Sequence, residues 1–348
     1  MLQADTPDLL AIVRCPSCRQ RLASAPPGPD NVERLKCESC GQRWPVRFGI
    51  PDFRGLGSAD PYLSADEDLR AAARLFERAQ AGGFVDALES YYATNQLVPA
   101  AQARRFIAGM LAAEDRSRAV LAHWQRLAGS AMAIGSCVDL GCGTGPLLPA
   151  LQVASAQVLG VDVGLRWLVL AGARLRERGI PVRLVCAGAT CVPLGDASVD
   201  LVASESLLEN APPAGDVLAE SLRVLGPGGR LWLTTANRHS VGPDPHLGIP
   251  AGGWLPPAWV GKIADRRGMV RPRRALLTAS ELQEALARCD LADIRIAPPP
   301  VTDAQAQHGS LAIRFAVRTY RAMAGLAAGR RLLTAIGPSL TAVATKRS

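Results

Sequence analysis

Short apolar runs alternate with helical stripes through the second half of the chain. Ala131–Val138, Val158–Asp162, Val182–Cys186, Val199–Ser204 and Arg230–Thr235 are compact runs of the kind that buried strands show, and Leu291–Ile296 and Ser339–Lys346 continue the series. Between them lie stretches with apolar residues three and four apart. Leu165–Arg178 is one, closed by Gly179 and stopped by Pro181; Val217–Leu225 is another, ending in Gly226-Pro-Gly-Gly229. Thr278-Ala-Ser-Glu281 has capping-box spacing ahead of Leu282, Ala285 and Leu286. Strand and helix in alternation predict a parallel sheet covered on both faces. The expected fold class is α/β: a doubly wound, seven-stranded, mostly parallel sheet.

The first 130 residues read differently. Ser64 with Glu67 makes another capping box, followed by Leu69, Ala72, Ala73, Phe76 and Ala79 at helical spacing and ended by Gly82-Gly83. A longer helical pattern covers about Pro99 to Leu127, and Tyr91-Tyr92 between the two reads either as core or as the wall of a pocket. Nearer the start, Cys15-Pro-Ser-Cys18 and Cys37-Glu-Ser-Cys40 stand 18 residues apart, with the turn-rich Ser24-Ala-Pro-Pro-Gly-Pro-Asp30 between them. Four thiolates on two tight turns build the tetrahedral sulfur shell that zinc prefers; an iron–sulfur centre suits the closed paired spacing less well. Cys15, Cys18, Cys37 and Cys40 are therefore the expected ligands of a structural zinc. The expected organisation is a zinc ribbon over 1–57, a helical connector or cap over 58–130, and a catalytic domain over 131–348 with an insertion at about 236–274.

Composition narrows the class. With 48% hydrophobic and 20% charged residues, 348 residues can bury a large core. Lys and Arg total 39 against 31 Asp and Glu, and from Gly261 to Ser348 there are 15 basic and 6 acidic residues, so the excess is C-terminal. That permits an anionic partner such as RNA without demanding one, and a solvated charged face is the plainer reading of the cluster Arg266, Arg267, Arg271, Arg273 and Arg274. The N-terminus has Asp5 and Asp8 and no basic stretch, unlike a signal peptide. The longest charge-free run, Leu140–Val161, holds a glycine turn with Pro146 and Pro149, which suits a buried strand–helix unit better than a membrane span. Nine cysteines without a secretion signal point to metal or free thiols, and a cytoplasmic protein is expected.

The first strand runs into Asp139-Leu-Gly141-Cys-Gly143-Thr-Gly145, a turn of the type that lets a ligand approach the backbone. An acid at its head opposes a pyrophosphate but suits a ligand with an ammonium group and no phosphate. The next strand ends at Asp162, 23 residues on, where a doubly wound fold places the carboxylate that accepts from ribose hydroxyls. A nicotinamide oxidoreductase fits this spacing and acid poorly.

This ordered set, with Pro193-Leu, Ser198-Val-Asp200-Leu-Val and Leu225-Gly-Pro-Gly-Gly229, resembles the class I S-adenosylmethionine-dependent methyltransferases over about Ala131 to Lys346. The resemblance implies that Gly141, Gly143 and Gly145 border the methionine and ribose, that Asp139 helps hold the amino acid end, that Asp162 holds the ribose, and that Ser204 lies near the sulfonium. Two departures stand out. The loop after the third strand, Ala187-Gly-Ala-Thr190, lacks the acid that often meets adenine, leaving backbone groups and packing from Leu184 or Cys191; and Glu209-Asn210 replaces a usual Glu-His. Asn237-Arg-His-Ser240, Asp244-Pro-His-Leu-Gly-Ile-Pro250 and Trp254-Leu-Pro-Pro257 resemble a branch of the family with a lid after its fifth strand. His239 and His246 are candidates to position or deprotonate an acceptor there, or to brace the lid. Over Leu9–Arg54 the cysteine module, ending in Gly49-Ile-Pro51, resembles short zinc ribbons that act as methyltransferase activators.

The expected function is S-adenosylmethionine-dependent methyl transfer to an O, N or C atom of a small or medium-sized metabolite. The alternatives are RNA methylation and a non-catalytic scaffold or binding protein that retains the fold.

Overall fold

The computed structural model describes residues 6–28, 30–57, 59–95, 98–129, 134–181, 183–211, 213–244, 248–302 and 311–348. Seven strands form one sheet: β5 (Ile134–Leu140), β6 (Ser155–Asp162), β7 (Leu184–Cys186), β8 (Val199–Glu205), β9 (Leu225–Ala236), β10 (Leu291–Ala297) and β11 (Ser339–Lys346). Their spatial order is β10-β11-β9-β8-β5-β6-β7, and β11 alone is antiparallel to its neighbours. The chain winds outward from β5 through β6 to β7, then returns to lay β8 and β9 on the other side. The strand order thus reverses between β5 and β8, and ligand crevices form outside the carboxyl ends of the strands at such a point.

Alternate residues of each strand feed two cores. Val138, Val202, Leu231 and Leu233 face one side, with α7 (Ala214–Val224) and α9 (Ala279–Ala287). Cys137, Leu201, Ala203 and Trp232 face the other, against α2 (Ala65–Thr94), α3 (Ala100–Leu111), α4 (Ala113–Ala128), α5 (Leu148–Ala154) and α6 (Leu165–Glu177). Trp124 of α4 meets Trp232 of β9 with ring centroids 6.2 Å apart. Both capping boxes form, at Ser64/Glu67 and Thr278/Glu281.

Two helices differ from expectation. Gly83 breaks helical geometry at φ +80°, but the helix resumes beyond it, because Phe84, Ala87, Leu88 and Tyr92 all bury on the same core. The long pattern after Pro99 is two helices, parted at Ala112, whose φ and ψ of −80° and −3° leave the α basin at its edge.

The N-terminal segment folds as α1 (Thr6–Ile12) and an antiparallel four-strand sheet, β1 (Leu22–Ala25), β2 (Arg34–Cys37), β3 (Arg43–Arg47) and β4 (Ile50–Pro51), in sequential order. Its apolar residues Leu22, Leu35, Trp44 and Phe53 are continuous with the first core of the large sheet. The join is also hydrogen-bonded. Arg14 N–H donates to Pro193 O at 2.9 Å, and Phe53 N–H donates to Cys186 O at 2.8 Å, extending the sheet beyond β7. The remaining helices are α8 (Pro257–Arg266), α10 (Leu311–Gly325) and α11 (Ala327–Ile336).

Candidate active site and metal centre

At the end of β5 the chain must turn sharply over its neighbour. The N–H groups of Gly141 and Cys142 both donate to Val161 O, at 2.8 and 3.0 Å. Gly141 and Gly143 have φ of +78° and +52°, in the left-handed region. At Gly143 a Cβ would project into open space, so this face of the turn is a cradle. Asp162 closes the other side: its Oδ2 accepts from Gly143 N–H at 2.9 Å and its Oδ1 from Gly164 N–H at 2.8 Å. A carboxylate has about four acceptor positions, so about two remain for a ligand.

Gly141, Gly143 and Asp162 line a cavity of about 710 Å³. Tyr62, Tyr91, Tyr92, Phe106 and Met110, from α2, α3 and the segment before them, line it too, with Trp167 from α6. Tyr91 meets Tyr92 and Trp167 edge-on, at centroid distances of 5.1 and 5.2 Å. Tyr91 and Tyr92 meet both readings: they line the cavity, and Tyr92 is also buried in the core with Tyr91 packed against it. Leu207 and Asn210 line it from the loop after β8, and Val270, Arg271 and Arg273 from beyond α8.

Below the turn, Asp139, Asp162 and Glu205 end the adjacent strands β5, β6 and β8. Burial raises the pKa of all three, and for Asp139 the charges of Glu205 and Asp162 push it further, well above the usual carboxylate range. Asp139 Oδ2 and Ser204 Oγ are buried without a hydrogen-bond partner. Desolvated, mutually repelling carboxylates with an orphaned oxygen fit a ligand that brings positive charge. S-Adenosylmethionine, with an ammonium and a sulfonium, fits this set.

Beside it lies a second charged group that no local motif announces. Asp68, on the first turn of α2, accepts from Leu165 N–H at 2.8 Å and so caps α6. The same carboxylate pairs with Arg54 at 2.7 Å and with Arg166 at 2.5 Å. Arg54 also holds Asp52 at 2.7 Å, and Arg166 holds Asp60 at 2.9 Å. Asp60 and Arg166 line the cavity, so this network ties the ribbon's exit, the connector and the pocket wall together. Its members are far apart in sequence, up to 106 residues for Arg166 and Asp60, which hides it from motif reading.

Other expected residues fall elsewhere. Gly145 faces Ala171 and Leu148, and Asp139 and Ser204 sit beneath the cavity lining rather than in it. Ala187 and Ala189 line the cavity where Leu184 and Cys191 were expected. Glu209 is structural: it accepts from Thr235 Oγ1 at 2.7 Å and Ala236 N–H at 3.3 Å. His239 does not face the cavity. It is exposed and stacks on Trp254 at 4.7 Å, itself 55% exposed, because Asn237 turns the loop outward by bonding the carbonyls of Thr334, Ala335 and Gly337. His246 lies outside the described residues.

The four cysteines do converge. The sulfurs of Cys15, Cys18, Cys37 and Cys40 all lie within 4.8 Å of one another, with Cys15–Cys40 at 3.7 Å and Cys18–Cys37 at 3.3 Å. Four sulfurs each about 2.3 Å from one ion would lie about 3.8 Å apart, so the cluster has the dimensions of a tetrahedral metal site. Burial opposes the Cys37 thiolate, but the N–H groups of Cys40 and Ser39 and the Cys18 thiol outweigh it and bring its pKa to about 7.

Comparison with known proteins bears on the domain's family. Residues 138–233 match the family model described as a methyltransferase domain. The chain therefore carries a class I S-adenosylmethionine-dependent methyltransferase domain, preceded by a four-cysteine module. It is 31% identical over 103 residues to a ubiquinone biosynthesis O-methyltransferase of Burkholderia orbicola, covering 29% of this chain and 44% of that one. With the enzyme of the same name from Methylococcus capsulatus it shares 37% over 106 residues, 29% and 43% of the two chains. The chain thus spans less than half the length of these relatives. Among solved structures, the complex between the Haloferax volcanii Trm112 methyltransferase activator and a methyltransferase matches with a TM-score of 0.47 and 19% identity, over 75% of this chain and 98% of that one. No helix of the described residues is long and apolar enough to cross a membrane.

Proposed function

We propose that the chain uses S-adenosylmethionine to methylate an O, N or C atom of a small or medium-sized acceptor. One observation carries the reading: a single cavity is lined both by the Gly141–Gly143 turn with Asp162 and by a set of aromatic side chains. Its volume, about 710 Å³, lies in the range of small-molecule sites. The similarity to ubiquinone biosynthesis O-methyltransferases supports a small acceptor.

In this reading Asp162 accepts from the ribose hydroxyls through its remaining positions, and Gly141 and Gly143 admit the cofactor close to the backbone. Asp139 and Glu205 favour its cationic end. When bound, the cofactor supplies an electrophilic methyl group. Tyr62, Tyr91, Tyr92 and Phe106 hold the acceptor and exclude water, so the acceleration comes from proximity and orientation. With His239 turned outward, no histidine of the described residues lines the cavity. The cysteine cluster holds a structural zinc that stiffens the ribbon, and the organisation 1–57, 58–130 and 131–348 follows the three roles. The acceptor is a soluble metabolite or an extractable small molecule.

Calorimetry with S-adenosylmethionine tests the cofactor. Asp162→Asn should weaken binding by at least about tenfold, since charge-assisted hydrogen bonds contribute about 1.5–3 kcal/mol each. Binding of NAD in place of S-adenosylmethionine overturns the assignment, and binding of neither supports a scaffold. Transfer of a labelled methyl group from the cofactor into a metabolite fraction tests the acceptor; label appearing in RNA instead overturns the small-molecule reading. Elemental analysis should find one zinc per chain, lost in Cys37→Ser.

A further inference from the structure

The last two helices form a surface that neither the cavity nor the metal centre accounts for. From residue 304 to Ser348 the sequence has no Asp or Glu, while α10 and α11 carry Arg314, Arg318, Arg321, Arg330 and Arg331. The two helices pack as a hairpin with an inner and an outer side. Val317 and Leu333 are buried, and Tyr320 Oη donates to Pro299 O at 2.7 Å, which fixes the inner side. On the outer side Phe315 is 72% exposed, Leu326 65% and Leu332 47%. Among the described residues, none forms an ion pair with Arg314, Arg318 or Arg331. The loop after β9 extends this surface: Val241 N–H donates to Ile336 O at 3.1 Å, and Val241 is 51% exposed.

Large apolar side chains held in water among unneutralised arginines match a specific environment. At an anionic lipid headgroup layer, Phe and Leu reach the acyl boundary while arginines pair with phosphates. Nucleic acid meets the charge but not the aliphatic groups, because Leu326, Leu332 and Val241 have no ring face for a base to stack on. A second copy of the chain meets the apolar groups but brings its own arginines against these. We propose that the α10–α11 hairpin, with Val241 at its edge, docks the chain on an anionic membrane surface. The inference is independent of what the cavity methylates.

Vesicle flotation of the full chain tests it, with phosphatidylcholine vesicles that contain or lack phosphatidylglycerol. The chain should float only with the anionic vesicles, and added salt should weaken the association. Phe315→Glu with Leu326→Glu should lower the vesicle affinity at least about tenfold. Arg330→Ser with Arg331→Ser should lower it about thirtyfold, roughly fivefold for each basic residue removed. Circular dichroism and thermal unfolding check that both variants fold, and Leu326→Glu alone replaces the first if Phe315→Glu destabilises the hairpin. Flotation with neutral vesicles, no flotation at all, or undiminished flotation of both variants overturns the proposal. So does binding of single-stranded RNA in place of vesicles, or a concentration-dependent dimer that Leu326→Glu dissolves.

Discussion

Two groups of buried charge lie side by side at the carboxyl edge of the sheet. In the first, Asp52, Arg54, Asp68, Arg166 and Asp60 alternate in sign, and every member has an ionic partner within 2.9 Å. In the second, Asp139, Asp162 and Glu205 share one sign; Asp139 Oδ2 has no partner, and Arg116 stands 3.9 Å from Glu205. The first group is complete in the protein alone, so its work is to hold elements together: it caps α6, anchors α2 and fixes the chain leaving the ribbon. In the second, Asp162 accepts from Gly143 and Gly164 N–H and Glu205 from Ser117 Oγ, but Asp139 Oδ2 is left over, which under the proposed function suits a cationic ligand. Both groups are largely desolvated, and what separates them is pairing.

The largest expected effect breaks the first group. Asp68→Ala leaves Arg54 and Arg166 short of a partner and uncaps α6, and chemical denaturation should show a loss of about 3–5 kcal/mol. A loss below about 1 kcal/mol would remove the distinction between the groups.

Asp139→Asn should act in the opposite direction on the ligand-free chain, raising stability at pH 8 by about 1 kcal/mol while weakening S-adenosylmethionine binding. The sign follows from linkage. Because the folded-state pKa of Asp139 is raised by burial and by Glu205 and Asp162, the contribution of this group to stability is most favourable below the unfolded carboxylate pKa of about 3.9 and falls as pH rises toward the folded value. The advantage of the variant should therefore vanish near pH 4, and cofactor should erase it at pH 8. Thermal unfolding across this pH range checks both.

Gly143→Ala sharpens the comparison at smaller scale. Its φ of +52° costs an alanine about 1 kcal/mol of stability, yet the added methyl enters open space in the crevice. Cofactor affinity should fall by more than stability does, measured by calorimetry and denaturation on the same protein. The smallest effect belongs to His239→Ala. On an exposed loop outside the cavity it should change stability by less than about 0.5 kcal/mol and leave turnover near wild type; a tenfold fall in turnover would restore a chemical role.

What the sequence made legible was local. The CxxC pairs, the glycine turn, Asp162 and both capping boxes are short-range patterns whose physics fits in a few residues, and the strands announce themselves by apolar runs. Gly82-Gly83 does break the helix, at Gly83, but the glycines could not announce that a second helical stretch follows, which the burial of Phe84 and Tyr92 decides. Asp68 looked like any acid on a helix's first turn; its second function, capping a helix that starts at Leu165, appears only when the chain has folded. His239 was misplaced for the same reason. The turn of Asn237 toward the carbonyls at the end of α11, about 100 residues away, is not written near the histidine.

The hydrogen bond from Phe53 to Cys186 has a consequence for the cell. A parallel sheet has two free rims, and β7 forms one of them, a row of amide groups open to any passing strand. The segment leaving the cysteine module covers that rim where Phe53 bonds Cys186. On the proposal that the four cysteines hold zinc, a chelator should loosen the cover, and light scattering should rise before the larger domain melts.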